Sequence, residues 1–301
     1  MNTVEKIHLP LSAQQVADYR RDGLVIVRGF FSADELEPLR QAYRDDPSIN
    51  GQIYGMEDSQ GRGHPFCTWT DFGDDIVGMI PRMARMVEAA EALLGEPCYH
   101  WHSKFSIKTS SCKARIDWHQ DYASWYDDGV VFPHMLTVGI AVEPATRENG
   151  CVQFIPGSQA MGRVEHERAG REHTEGFKAR LERARQRLGL VYGEMDVGDA
   201  VFFHCNIFHG SDLNETDTER VMIFCSYNAV ANAPVTAARG NNLEGAFMGI
   251  SAGDRDYRPI VPIDDSALLN RTWRSAFSHT RFNRPDMQLG GNYGRAVKLE
   301  H

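Results

Sequence analysis

The chain has 301 residues, of which 42% are hydrophobic, 24% charged and 10% aromatic. This composition is typical of a folded globular protein and differs from that of disordered or collagen-like chains. The 32 Lys and Arg against 41 Asp and Glu give a formal net charge of −9, which disfavours phosphate backbones and anionic membranes as partners. Because no apolar run has the length of a membrane span and the first residues lack an apolar signal segment, we expect a cytoplasmic protein, monomeric or homodimeric, without nucleic-acid or membrane partners.

Helices and one short strand are predicted in the first hundred residues. Ser12 is positioned to cap a helix that ends at Gly23, and the apolar residues 24–27 predict a strand. Ser32 begins a capping-box pattern before a second helix. Apolar positions recur at intervals of three and four over 83–94, which predicts a further helix.

After residue 97 the pattern changes to short β-rich segments separated by turn-forming residues. Strands are predicted at 99–107, 135–142, 152–155, 200–204 and 221–227. A helical insertion with many arginines is predicted over 177–188, its charges forming a solvated face. Many short strands without alternating helices predict a mainly β fold with flanking helices, arranged as an antiparallel double-sheet barrel.

The chain contains no internal repeat and no polar linker, so we expect one domain over 1–298. Its core would cover about residues 10–235, and 236–298 would form a C-terminal flap or tail. Residues 299–301 resemble the start of a vector-derived affinity tag. The six cysteines are scattered singly, which predicts free thiols, most of them buried.

One group of residues has the composition of a metal site. His119 and Asp121 lie two positions apart, and on a strand such side chains share a face. This pair is weak evidence alone, because a chain of this composition contains such a pair by chance. His209 follows a strongly apolar segment, and Arg220 lies eleven residues later. Two imidazoles and one carboxylate form the donor set that binds iron(II) on one face, while an arginine could hold a dicarboxylate.

These residues belong to a longer series of motifs that resembles the phytanoyl-CoA dioxygenase family of iron(II)/2-oxoglutarate-dependent oxygenases, which includes the ectoine hydroxylases. Each motif is common by itself, but the ordered set is specific and extends over about residues 10–235. The matching segments are His119-x-Asp121, Glu148-Asn149-Gly150, Ile155-Pro156-Gly157-Ser158, the run Gly-Asp-Ala-Val-Phe-Phe at 198–203, and His209-x-Ser211 with Arg220.

The resemblance implies a double-stranded β-helix, the cupin-like jelly-roll barrel, with iron(II), 2-oxoglutarate and O2 as cofactor and cosubstrates. His119, Asp121 and His209 would be the metal ligands and the catalytic centre. Arg220 would bind the distal carboxylate of 2-oxoglutarate, with Ser211 nearby.

Two further cosubstrate contacts follow from the resemblance with less support, because they depend on where gaps are placed. Thr137 lies where the family often has a second donor to 2-oxoglutarate, and Lys104 matches a basic position of several members. The alternatives are a strand hydroxyl bonded to backbone and a solvent-facing strand lysine.

The substrate side is indicated by residues just after the metal pair. Trp125 and Tyr126 stand beside acidic residues and could face a cationic or zwitterionic substrate, because aromatic faces attract ammonium groups. In ectoine hydroxylases a tryptophan at the position of Trp125 lies against the substrate. The alternative is that both rings only line the barrel mouth. Asn206 borders the same region and could donate a hydrogen bond, or could be a turn residue.

The resulting hypothesis is a dioxygenase that hydroxylates an unactivated C–H bond of a small polar metabolite, such as an amino acid or related zwitterion. The same iron centre could instead catalyse desaturation, cyclisation or demethylation. A third possibility is a catalytically silent barrel that binds a metal.

Overall fold

The fold was analysed in a computed structural model, which describes residues 10–70, 73–110, 112–165, 172–235, 250–251, 253–260 and 296–297. The expected flap or tail at 236–298 lies largely outside these residues, and the expected tag remnant lies wholly outside them. Within the described residues the helices are α1 (Ala13–Asp22), α2 (Ala33–Asp45), α3 (Pro47–Asn50), α4 (Ile76–Met79), α5 (Ala84–Leu94), α6 (Asp121–Asp127) and α7 (Glu175–Leu188).

Twelve strands are described, the first of them directly after α1. They are β1 (Leu24–Val27), β2 (Tyr54–Glu57), β3 (Gly63–Trp69), β4 (Cys98–Lys108), β5 (Ile116–His119), β6 (Met135–Ala141), β7 (Val152–Phe154), β8 (Val191–Tyr192), β9 (Ala200–His204), β10 (His209–Ser211), β11 (Arg220–Ala229) and β12 (Ala296–Val297).

Local signals account for the N-terminal helices. The Ser12 side chain accepts a hydrogen bond from the Gln15 backbone, and the Gln15 side chain accepts one from the Ser12 backbone, which completes a capping box. Ser32 and Glu35 make the same pair of bonds at the start of α2. Gly23 ends α1 in the left-handed conformation at φ 76°. The helices predicted from these caps are confirmed.

Two antiparallel sheets form the body of the fold. The large sheet has the strand order β1-β9-β6-β11-β4-β3-β2-β12, and the small sheet has the order β5-β10-β7-β8. Side chains of the two sheets pack together, as Phe154 of the small sheet and Phe203 of the large one do with ring centroids 5.3 Å apart. The prediction of a mainly β double sheet with flanking helices is confirmed.

One part of the strand prediction was wrong. The hairpin of β2 and β3 lies between the second and third predicted helices, in a segment for which no strand was predicted. Six of the seven residues of β3 are buried, so the segment lacks the alternation of a strand with one solvated face. Pro65, which normally argues against a strand interior, further conceals it.

Helices cover both outer faces. Helices α2, α4 and α5 bury Leu36, Val77 and Val87 in the core beside the large sheet. Helix α7 packs Phe177 and Ala184 in a cluster with residues flanking the small sheet, so the insertion is amphipathic as predicted. Among the described residues, none of the helices combines the length and the apolar character needed to span a bilayer. All six cysteines are buried and none forms a disulfide bond, in agreement with the prediction from their spacing.

The glycine of the Glu148-Asn149-Gly150 motif has a steric explanation. Gly150 has φ +79°, and a Cβ there would lie 2.6 Å from the backbone oxygen of Asp212. The Asn149 side chain accepts from Thr146 and donates to Pro144, which closes the turn. The turn therefore packs against the segment that directly follows Ser211.

Candidate metal centre and adjoining cavity

Three side chains that could bind a metal come from the small sheet and the helix after it. His119 is the last residue of β5 and His209 the first of β10, and the two are directly paired across the antiparallel ladder. Asp121 is the first residue of α6. The expectation that Asp121 lies on a strand was wrong, because the strand ends at His119. The extended backbone of Gln120, at φ −116° and ψ 128°, still directs both side chains to one side.

The candidate ligand atoms converge on one point. His119 Nε2 lies 3.5 Å and His209 Nε2 3.8 Å from Asp121 Oδ1, and one atom from each residue falls within 4.8 Å of the others. Two imidazoles and one carboxylate in this arrangement match the donor set of non-haem iron(II) centres.

Backbone carbonyls orient both imidazoles. His119 Nδ1 donates to the Asp117 carbonyl at 2.8 Å, and His209 Nδ1 donates to the Ile207 carbonyl at 3.1 Å. A carbonyl oxygen can only accept, so the proton of each neutral ring belongs on Nδ1. Each Nε2 then directs its lone pair toward the common point, as metal-binding histidines require.

The electrostatics favour the protonation states that bind a cation. Burial, followed by the neighbouring His119, lowers the pKa of His209 to about 3, so its ring is neutral at physiological pH. Burial acts to raise the pKa of Asp121, but the adjacent histidines His209 and His119 and the charge of Lys104 hold that pKa well below its usual range. The site therefore offers the neutral His209 ring and one carboxylate anion to a cation.

Gln120, which lies between two candidate ligands, was missed by the sequence reasoning. Its side chain is fully buried and donates to the carbonyls of Gly162 at 2.9 Å and Asn206 at 2.6 Å. Its oxygen accepts from the Val164 backbone at 2.7 Å. Because the Asn206 carbonyl is adjacent in the chain to the one that orients His209, Gln120 connects both halves of the metal site. The sequence did offer one signal for Gln120, because it is a polar residue between two candidate ligands on a segment expected to alternate.

A cavity adjoins the metal site. Its walls include the three candidate ligands and all four residues predicted to bind the cosubstrate. These four are Lys104, Thr137, Ser211 and Arg220. The structure thus brings the candidate metal ligands and the predicted cosubstrate residues into one cavity.

Arg220 and Ser211 form a donor-rich wall of this cavity. Arg220 is 1% exposed and donates from Nη2 to Ser106 Oγ at 2.8 Å. Burial lowers its pKa to about 10, so the guanidinium remains charged at neutral pH. It has no carboxylate partner among the described residues, and both its Nε and Ser211 Oγ are buried without a hydrogen-bond partner. A buried cation without an acid is costly, so this wall fits an anionic ligand.

Lys104 and Thr137 also line the cavity. The Lys104 ammonium lies 5.5 Å from the centre of the Phe66 ring and 5.9 Å from that of Phe224. The Thr137 hydroxyl donates to Asp121 Oδ2 at 3.4 Å and is hydrogen-bonded to Ser226 Oγ at 2.9 Å. Thr137 therefore contacts the carboxylate of the metal site directly.

None of the three predicted substrate residues is among the described residues that line this cavity. Trp125 is buried in an aromatic cluster, 6.4 Å from Trp101 between ring centroids. Tyr126 is 47% exposed and contacts Arg163. Asn206 is buried, and its side-chain oxygen has no hydrogen-bond partner in the described part of the chain. Their assignment to the substrate stays a prediction.

Comparison with known proteins gives consistent matches. The profile of the phytanoyl-CoA dioxygenase family matches residues 19–222. L-proline trans-4-hydroxylase of Streptomyces griseoviridis is 30% identical over 265 residues, covering 83% of this chain and 95% of that protein. Ectoine dioxygenase of Stutzerimonas stutzeri is 27% identical over 240 residues, covering 74% of this chain and 79% of that protein. The crystal structure of EctD from S. alaskensis with 2-oxoglutarate and 5-hydroxyectoine superimposes with a TM-score of 0.67 at 26% identity, covering 85% of this chain and 90% of that chain.

Proposed function

Because this chain belongs to the phytanoyl-CoA dioxygenase family, we propose that it is an iron(II)/2-oxoglutarate-dependent dioxygenase that hydroxylates a C–H bond of a small zwitterionic metabolite. The observation that carries this proposal is the single cavity in which His119, Asp121 and His209 converge beside the buried, acid-free Arg220. A metal that only stabilised the fold would not require an unpaired guanidinium in the same cavity.

The chain's own residues have distinct tasks in this reaction. His119, Asp121 and His209 would hold iron(II), and their hydrogen bonds to backbone carbonyls keep the nitrogen lone pairs aimed before the metal arrives. When bound, iron(II) with 2-oxoglutarate and O2 supplies an oxidation in which the keto acid leaves as succinate and carbon dioxide and one oxygen atom enters the substrate C–H bond.

The cosubstrate would be anchored in the same cavity. Arg220 would donate to the distal carboxylate of 2-oxoglutarate, and Ser211 would add a hydroxyl donor whose oxygen is otherwise unpaired. We also assign Thr137 and Lys104 to the cosubstrate, because both line the cavity that the metal ligands and Arg220 also line.

A small zwitterion as substrate is supported by the relatives of this chain. The similar proteins are a proline hydroxylase, an ectoine dioxygenase and an EctD structure that contains 5-hydroxyectoine, and these compounds share small size and mixed charge.

Trp125, Tyr126 and Asn206 remain our proposed substrate contacts. Trp125 lies four residues after Asp121 on α6, and side chains at this spacing share one face of a helix. An indole in this position could contact the ammonium group of a substrate held next to the metal.

Location and assembly form a further part of the proposal. Six buried cysteines outside disulfide bonds are typical of proteins from reducing compartments, so we propose that this one works in the cytoplasm. We also propose that it is a single-domain monomer or homodimer.

The test is a screen of amino acids, ectoine, betaines and phosphonates for stimulation of succinate release from 2-oxoglutarate with iron(II) and O2. We expect at least one small zwitterion to stimulate release and to yield a product heavier by one oxygen atom. A product lighter by two hydrogen atoms would indicate desaturation instead. Release that no small zwitterion stimulates would contradict the substrate class, and absence of any turnover would contradict the activity.

A further inference from the structure

Ser106, on β4, lies directly behind the guanidinium of Arg220. The serine is 2% exposed, and it lines the cavity that holds the metal ligands. Its oxygen accepts a hydrogen bond from Arg220 Nη2 at 2.8 Å and lies 2.9 Å from His64 Nε2. No motif of the sequence indicated Ser106 or His64.

His64, on β3, is fully buried and neutral. Burial, followed by the positive charges of Lys108, Arg220 and Lys104, lowers the pKa of His64 well below its usual value. A neutral imidazole carries one N–H and one lone pair, so one of its nitrogens must donate and the other must accept.

The surroundings of His64 decide where its proton lies. Nδ1 is buried and has no hydrogen-bond partner among the described residues, and a buried N–H without an acceptor is more costly than an unused lone pair. The proton therefore belongs on Nε2, which donates to Ser106 Oγ. The hydroxyl of Ser106 then receives two N–H donors, one from His64 and one from Arg220, and its own proton remains to be donated.

Three donor groups on residues that line the same cavity thus have no acceptor among the described residues. They are the Ser106 hydroxyl, the buried Ser211 hydroxyl and the Nε–H of Arg220. These three donors, one of which belongs to the Arg220 cation, suit a carboxylate, because its two oxygens have about four acceptor positions.

We propose that Ser106 donates a hydrogen bond to the distal carboxylate of 2-oxoglutarate, and that His64 is the positioning residue that turns the Ser106 hydroxyl toward it. This inference rests on the proposed function. Ser106 would select keto acids that carry a distal carboxylate, because its donated proton is otherwise left buried and unpaired.

The experiment compares two keto acids of equal length. Binding of 2-oxoglutarate and of 2-oxopentanoate, which lacks the distal carboxylate, is measured anaerobically on the iron(II)-loaded protein by absorption and on the manganese(II)-loaded protein by calorimetry. Ser106→Ala should weaken 2-oxoglutarate binding about tenfold and change 2-oxopentanoate binding less than about twofold. Ser103→Ala is the matched control, because Ser103 is buried on the same strand and bonded to His100 away from the cavity, and it should change neither affinity.

A second pair of variants tests the positioning role of His64. Glutamine can place a donor near the position of Nε2, whereas the shorter asparagine cannot, so His64→Gln should retain most of the affinity that His64→Asn loses. We expect a loss of about threefold for 2-oxoglutarate in His64→Asn alone.

The outcomes separate this inference from the proposed function. Wild-type protein that binds iron(II) but no 2-oxoglutarate would contradict the proposed function. Tight wild-type binding with equal losses of both keto acids in Ser106→Ala, or with no loss, would overturn the role of Ser106 alone. If Ser106→Ala does not fold, equal 2-oxoglutarate affinities in the two His64 variants would overturn it instead.

Discussion

The two halves of the candidate active site are built in different ways. The metal ligands stand on short segments, since β5 has four residues and β10 three. Their orientation comes from side chains bonded to backbone carbonyls, as in His119, His209 and Gln120. The cosubstrate anchor Arg220 instead begins the ten-residue strand β11, which is paired on both sides in the large sheet.

This contrast indicates how each half should respond to mutation. On the metal side, hydrogen bonds to backbone carbonyls set the geometry. Removing one of these hydrogen bonds should therefore reduce metal affinity even when no ligand is removed. On the anchor side, the sheet ladder sets the positions, so loss of a donor should reduce 2-oxoglutarate affinity and leave metal binding intact. The predictions below test this division, in order of decreasing effect.

Removal of a ligand is expected to have the largest effect. Asp121→Ala and His209→Ala should each abolish succinate release, because two remaining ligands cannot hold the metal in an open three-ligand face. Release of succinate from 2-oxoglutarate is the measurement. His173→Ala is the control, since His173 contacts Phe177 beside α7 rather than the metal site, and it should leave release nearly unchanged. Equal loss in all three variants would refute the ligand assignment.

Loss of the anchoring cation comes next. Arg220→Gln should raise the dissociation constant for 2-oxoglutarate about a hundredfold, as expected when one partner of a buried charge pair is truncated. Iron(II) affinity, titrated separately, should stay within about threefold. Arg115→Gln, at a half-exposed arginine 3.6 Å from Asp212, serves as the control. An Arg220→Gln protein that loses iron and 2-oxoglutarate together would break the division between the two halves.

Gln120 should produce an intermediate effect on the metal side only. Gln120→Leu keeps the size of the side chain but removes three hydrogen bonds, so iron(II) affinity should fall about tenfold or more and the protein should be less stable. Affinity of the iron-loaded variant for 2-oxoglutarate should be little changed. Gln159→Leu, which removes a single surface hydrogen bond to Arg21, is the comparison. Unchanged metal affinity in Gln120→Leu would show that the hydrogen bonds of Gln120 are dispensable.

Thr137 lies at the boundary between the halves and should give the smallest effect. Its hydroxyl contacts Asp121 at 3.4 Å and faces the cavity, so Thr137→Val should weaken metal and 2-oxoglutarate binding by about threefold each. Both constants can be read from the same titration series. A variant that changes neither would remove Thr137 from the site.

Local patterns predicted much of the fold. The capping boxes at Ser12 and Ser32 and the apolar run that became β9 depend on neighbouring residues, and those elements appear where expected. The buried hairpin of β2 and β3 was missed because burial on both faces erases alternation. Asp121 was placed on a strand because a two-residue spacing does not reveal that a helix begins between the paired residues.

The site residues that belong to ordered sequence motifs could be predicted. Those that come together only because distant strands are neighbours in the fold could not. His119, Asp121, His209 and Arg220 were found from their spacing and resemblance to a known family. The contact of His64 with Ser106 joins residues 42 positions apart across neighbouring strands, and no local pattern reports such a pairing. Gln120 contacts carbonyls 42 and 86 positions away, so its position between two candidate ligands was visible in the sequence but its partners were not.

The most direct test of the central claim is an anaerobic titration of iron(II) into the protein in the presence of 2-oxoglutarate, followed by visible absorption. One iron per chain should bind and produce a saturable band that depends on 2-oxoglutarate. The band should be absent in His209→Ala and require much more keto acid in Arg220→Gln. Wild-type protein that binds no iron, or binds it without any response to 2-oxoglutarate, would contradict the account.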